Sequence, residues 1–309
     1  VALAALAVAT LPARAAAAQQ HHMVIVTGLA GEPPYAAAFR RTAASLYDLA
    51  RSWGVRDSSL VLLSENPAAD AARSRGRATR DEIAATLLGL SRRAAAGDVV
   101  TVFLIGHGSG QAADSRVSLP GPDATAADFA TWLAGFTSQT VVFVNAASAS
   151  GDFLATLAAP QRVVVTATKS ALERNETIFA EHFVQGLTAG RADADKDDRI
   201  TLLEAFTYAR REVARAYEAG NRLLTEHAQL SDTALAATVV LGAGTPSDDP
   251  QVAALVAERR ALEAQVAALR ARKATLDSTT YERELERLLI EIATRTQAIR
   301  ATAGGTARP

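Results

Sequence analysis

A histidine framed by glycines closes a long apolar run. Residues 98–105 (DVVTVFLI) lead directly into Gly106-His107-Gly108-Ser109-Gly110. The glycines let the backbone turn sharply and leave the imidazole approachable. Histidine is the side chain most often used as a general base. The next long apolar run, residues 140–145 (TVVFVN), ends in Ala146-Ala147-Ser148-Ala149-Ser150-Gly151. A hydroxyl at such a turn could be a nucleophile, with main-chain N–H groups beside it to hold an oxyanion. Its serines could equally cap the helix expected from Asp152. The chain has no cysteine, which removes thiol nucleophiles, thiolate metal sites and disulfides together.

A second constellation is acidic. The run Asp193-Ala194-Asp195-Lys196-Asp197-Asp198-Arg199-Ile200-Thr201-Leu202-Leu203-Glu204 has the spacing of a twelve-residue EF-hand loop. Asp193, Asp195 and Asp197 occupy the first, third and fifth places, and Arg199 offers its carbonyl at the seventh. Thr201 stands at the ninth and Glu204 can close bidentately at the twelfth, with Ile200 as the apolar plug at the eighth. The departure is Asp198 at the sixth place, where glycine is expected. Aspartate tolerates positive φ better than most residues, so this weakens the site without abolishing it. With a single loop of this spacing, the expectation is one structural calcium ion.

The elements that must carry these residues alternate between strand and helix, the pattern of a parallel sheet covered on both faces. Residues 23–27, 59–63, 98–105, 140–145 and 162–168 read as strands. Helices are expected over residues 35–53, 79–95, 126–134, 152–157, 177–187 and 201–217, with residues 66–77 as a loop. The core closes near Leu241, and residues 245–250 (TPSDDP) read as a linker. Beyond it, Leu255, Leu262, Val266, Leu269 and Leu276 fall on one beat, and Tyr281, Leu285, Leu288, Ile292 and Ile299 on another. Two amphipathic helices over residues 251–302 predict an antiparallel hairpin or coiled coil, with Glu282 closing a capping box on Thr279. The tail from Ala303 reads as disordered, Thr225-Glu226-His227 as a surface loop, and His21 and His22 as part of a frayed leader.

Residues 1–18 are apolar and alanine-rich, with a break at Leu11-Pro12 and A-x-A patterns before Gln19. They read as the end of a secretory signal peptide, which predicts export to the periplasm or the extracellular space. No stretch is long and apolar enough to span a membrane. A net charge of −1 and 5% aromatic residues argue against nucleic acid or an anionic membrane as a partner.

Strand–His-Gly followed by strand–small–Cys-x-Ser-Gly is the order in which caspase-fold peptidases of the legumain type carry a His/Cys dyad. The chain resembles that family over roughly residues 23–217. Matching the Ser-Gly pair sets Ala147-Ser148-Ala149-Ser150-Gly151 on the family's Ala-Cys-x-Ser-Gly, with Ser148 as nucleophile. Matching by strand length sets Ala147 there instead. The resemblance implies an α/β, caspase-like three-layer sandwich with a mostly parallel central sheet over residues 19–244, followed by the C-terminal helical hairpin. It implies Gly108 and Ser148 N–H groups as oxyanion donors. Phe39-Arg40-Arg41 matches the segment that supplies a basic residue to the family's specificity pocket, although a solvated helix face accounts for both arginines as well.

Replacing a thiol by a hydroxyl is a large chemical change, because a hydroxyl needs a strong, well-oriented base. No acid is placed by sequence to orient His107. The leading expectation is therefore a peptidase-like protein whose pocket binds a peptide or protein ligand without cleaving it. The rival is a serine hydrolase with Ser148 as nucleophile and His107 as base. A third reading is an assembly scaffold, self-associating through residues 252–300. A dyad requires Ser148 Oγ within roughly 2.6–3.2 Å of His107. A binding site requires an open groove beside His107 without that pair.

Overall fold

The strands whose sequences are apolar at most positions become the centre of a seven-stranded sheet. A strand covered on both faces needs apolar side chains in both parities. β1 (His21–Thr27), β4 (Val99–Ile105) and β8 (Thr140–Asn145) meet that condition and are buried along nearly their whole length. β2 (Leu60–Ser64), β3 (Ser74–Arg77), β9 (Arg162–Thr166) and β11 (Gln229–Leu230) complete the order β11-β9-β8-β4-β1-β2-β3. All pairings are parallel except β11 on β9. The computed structural model describes residues 19–110, 114–197, 199–242, 249–273 and 276–305. The expected leader, residues 1–18, lies outside them.

Alternate strand residues feed two apolar clusters. Met23, Ile25, Phe103 and Val144 face one side, where α1 (Pro33–Ser52), α5 (Phe179–Thr188), α6 (Leu202–Ala219) and the short α7 (Thr233–Ala236) pack. Val24, Val26, Val102 and Phe143 face the other, against α2 (Arg80–Ser91), α3 (Ala126–Leu133) and α4 (Phe153–Leu157). The result is a helix–sheet–helix sandwich. Two small antiparallel sheets lie outside it. One is built from β5 (Gly108–Ser109), β6 (Arg116–Val117) and β7 (Ala124–Thr125), the other from β10 (Ile200–Thr201) and β12 (Val240–Gly242).

The C-terminal pair is α8 (Pro250–Ala271) and α9 (Ser278–Gly305). Val252 and Val256 meet Ile299 at one end, and Leu269 shares a cluster with Tyr281 at the other, so the helices run antiparallel.

Four expectations are corrected. Residues 74–77 form an edge strand rather than loop; its side chains alternate between half-buried and exposed, which leaves no apolar run to read. His21 and His22 belong to β1, and His22 is 4% exposed with Nε2 at 3.0 Å from Asp98 Oδ2. Asp277, not Thr279, caps α9, accepting the Thr280 N–H at 2.9 Å, as its strong N-cap preference allows. α9 also continues through Gly305 into the stretch expected to be disordered.

Candidate functional site

His107 and Ser148 sit where two adjacent parallel strands, β4 and β8, release the chain at their carboxyl ends. Ligands bind at such ends in open α/β sheets. His107 is half-buried, and its ring is edge-on to Tyr35 at 5.0 Å and to Phe39 at 5.2 Å, both on α1. The following Gly108 cannot carry a side chain: a Cβ there would lie 2.2 Å from the Ser148 carbonyl oxygen.

The turn after β8 is held from several directions. Asn145 Oδ1 accepts the Ala147 N–H at 3.1 Å. Ala149 adopts φ 52, and its N–H donates to the Glu173 carbonyl at 2.7 Å. Ser150 and Thr168 share hydroxyl and main-chain hydrogen bonds. A Cβ on Gly151 would lie 2.1 Å from Ser170 N, so the segment after β9 crosses directly over this turn. Thr177 Oγ1 adds a bond to the Ala146 carbonyl at 2.5 Å.

Within this frame Ser148 is 2% exposed. Its Oγ accepts the Gly108 N–H at 3.1 Å and donates to the Gly108 carbonyl at 3.2 Å. Among the described residues no hydrogen bond joins it to His107. The Gly108 N–H, a candidate oxyanion donor, is thus directed at Ser148 itself. Ala147 is also buried.

Arg40 is exposed on α1 and lines a cavity of about 190 Å³ at the carboxyl ends of β1 and β2. Phe39, Gly28, Glu65 and Asp70 line it too, and Phe39 is the ring that also meets His107. Glu65 Oε2 accepts the Ala30 N–H at 3.1 Å, which fixes one wall. The cavity thus carries one cation and two carboxylates.

A buried acid went unread in the sequence. Glu226 is 3% exposed, and its carboxylate accepts the N–H groups of Ile178 at 3.0 Å and Phe179 at 2.8 Å, at the start of α5. Burial pushes it up to about 7, against the pull of those two N–H groups. Its neighbour His227 meets Glu173 at 2.5 Å, beneath the strap over the Ser148 turn. Their partners stand about fifty residues earlier, so no local spacing marks the cluster.

The acidic loop brings Asp193, Asp195 and Asp197 together, with a carboxylate oxygen of each within 4.8 Å of the others. The chain curls around them: the Asp197 N–H donates to Asp193 Oδ1 at 3.1 Å and to Asp195 Oδ1 at 3.2 Å, and the Arg199 N–H to Asp197 Oδ1 at 2.9 Å. Burial raises the Asp197 carboxyl, with Arg259 opposing and Asp195 and Glu204 adding to the rise. Ile200 is fully buried and pairs with Gly242 of β12, so the strand of this loop is completed from within the chain. Glu204 is not in the group of carboxylates within 4.8 Å of one another, but it reaches the loop from the start of α6. Its Oε2 accepts from Thr201 N at 2.9 Å and Oγ1 at 2.8 Å, and its Oε1 from Ala194 N at 3.1 Å. The side chain aimed at the cluster is Arg259 of α8, 1% exposed, with Nη1 at 2.8 Å from Asp197 Oδ2. An all-oxygen donor set of three carboxylates fits a hard divalent cation, and the buried guanidinium marks the place as one that calls for positive charge.

No family model matches the chain, and no curated protein matches it. Among solved structures it is similar to a Geobacter sulfurreducens protein determined as a structural genomics target, with a TM-score of 0.46 and 10% identity, over 74% of this chain and 95% of that one. It is also similar to caspase-1 from Spodoptera frugiperda, with a TM-score of 0.45 and 10% identity, over 75% of this chain and 92% of that one. No described helix is long and apolar enough to cross a membrane.

Proposed function

We propose that the chain is an exported, calcium-loaded relative of the legumain-type peptidases that binds a peptide or protein segment at the carboxyl ends of its strands without cleaving it. The observation that carries this reading is the fate of the Ser148 hydroxyl. It is buried and engaged with both polar groups of Gly108, whereas a nucleophile must be reachable and paired with its base. The imidazole of His107 packs edge-on against Tyr35 and Phe39 and stands behind the cavity, since Phe39 lines it and His107 does not. Arg40, Glu65 and Asp70, which line the same cavity, supply charges that can orient a bound segment. One calcium ion is held by Asp193, Asp195, Asp197, the Arg199 carbonyl, Thr201 and, after leaving its cap, Glu204; it fixes the link between α5 and α6.

The test pairs two measurements on the purified protein with calcium present. A fluorescent peptide library is screened by polarisation for binding that Arg40→Glu weakens, and a fluorophosphonate probe is applied to the wild type. Peptide binding without labelling supports the proposal. Labelling that disappears in both Ser148→Ala and His107→Ala sinks it and establishes a serine hydrolase.

A further inference from the structure

The acidic loop and the C-terminal hairpin meet through charge. Among the described residues, both apolar clusters of the hairpin draw on hairpin residues alone. Several polar ties join the hairpin to the acidic loop, and Arg260 of α8 also lies beside β1 and β12. Arg259 Nη2 donates to the Asp197 carbonyl at 2.6 Å, and Nη1 faces Asp197 Oδ2 at 2.8 Å. Glu263, one turn further along α8, pairs with Arg199 at 2.5 Å. Arg259 is 1% exposed, and its Nε at 3.5 Å from Glu263 Oε1 and its Nη1 beside Asp197 form ion pairs without hydrogen-bond geometry. A guanidinium cannot shed its proton to escape burial. This one must draw its compensation chiefly from the field of the carboxylates around it.

We propose that the acidic loop is the docking socket of the hairpin, in which the Arg259 guanidinium and a divalent cation are alternative occupants, so that calcium releases the hairpin. The inference rests on the calcium reading above. Asp197 is a ligand in that reading, and both its Oδ2 and its carbonyl oxygen face Arg259. A cation among the three aspartates would stand a few ångströms from the guanidinium, in a setting partly shielded from water, where like charges repel strongly. Once that pair is broken, the described apolar clusters hold α8 to α9 but not to the sandwich, and the part-exposed Arg199–Glu263 pair, itself on the loop, is a tie that remains.

Calorimetric calcium titrations of the full chain, wild type against Arg259→Gln, would be paired with hydrogen–deuterium exchange of residues 250–271 with and without saturating calcium. The variant is expected to bind calcium about tenfold more tightly, because the competing charge is gone. Arg259→Lys, which keeps the charge, should stay near the wild type. In the wild type, calcium is expected to raise exchange across α8 severalfold. Exchange that calcium leaves unchanged or lowers, with equal or weaker binding by Arg259→Gln, overturns the socket and leaves the calcium reading standing. Absence of calcium binding in every form overturns both. The exchange experiment on the wild type needs no substitution, so a variant that fails to fold cannot hide the answer.

Discussion

The two regions that carry chemically capable side chains differ in how the fold treats them. At the strand ends, most polar groups are matched with neutral neighbours, the buried Nδ2 of Asn145 being left without a partner among the described residues. The Ser148 hydroxyl is closed on Gly108, Ser150 on Thr168, and Thr177 on the Ala146 carbonyl. In the acidic loop, three carboxylates converge and a buried guanidinium from a distant helix answers them incompletely. A hydroxyl with both its donor and acceptor roles filled has little left for a substrate. A cluster of like charges holds its geometry only with help from a counter-charge. The residues best suited by type to catalysis therefore sit in the quieter region, and the residues best suited to ion binding sit where the electrostatic demand is greatest.

Calcium should separate the two regions most sharply. With free calcium at a hundredfold its dissociation constant, binding to the native state alone adds about 2.7 kcal/mol of stability. The rise should appear in urea unfolding followed by circular dichroism. Asp195→Asn should abolish it, since it removes one of the three convergent carboxylates. Without calcium the same variant should differ little from the wild type, because the relief of like-charge repulsion is offset by a weaker field on the buried Arg259. A wild type indifferent to calcium would erase the contrast between the regions.

A smaller effect probes the strap over the Ser148 turn. The Glu226 carboxyl is raised from 4.5 to about 7 in the folded chain. Between those values the folded state holds more protons than the unfolded one, so the contribution of this group to stability falls as pH rises through that window. Glu226→Gln should flatten that fall, while the one N–H group left without an acceptor costs about 1–3 kcal/mol at both pH values. Unfolding free energies at pH 5 and pH 8 decide it. Parallel slopes for the two proteins would mean that Glu226 stays ionised against the α5 N–H groups throughout.

The contrast also explains what the sequence could and could not convey. The central strands were legible because burial on both faces demands unbroken apolar runs, as in residues 140–145, and the mixed α/β sandwich with its helical hairpin followed from their alternation with helices. Edge elements were not: β3 pairs on one side only, so its side chains carry no pattern. The acidic spacing marked Asp193, Asp195 and Asp197, which lie within one turn of chain and do gather, but it also expected Glu204 among them, and Glu204 closes the capping box of α6. It could not tell that Arg259, more than sixty residues later, would enter the same place. Likewise the order histidine then serine put both residues on neighbouring strand ends. Whether the hydroxyl turned to the imidazole or to the main chain of Gly108 depended on a close backbone approach that only the folded chain defines.

The smallest expected effect is the most telling for the strand ends. Ser148→Ala should cost about 1 kcal/mol, the net worth of a hydrogen-bonded hydroxyl, with the Gly108 N–H left without its acceptor. His107→Ala should cost a comparable amount, about 0.5–1.5 kcal/mol for its aromatic contacts, beyond the area it buries. The two side chains share no described hydrogen bond, so the costs should add to within about 0.5 kcal/mol in the double variant. Urea unfolding of the four proteins gives this coupling directly. A coupling well above that bound would mean that the hydroxyl and the imidazole act as one unit, and the strand ends would then have to be treated as a working dyad.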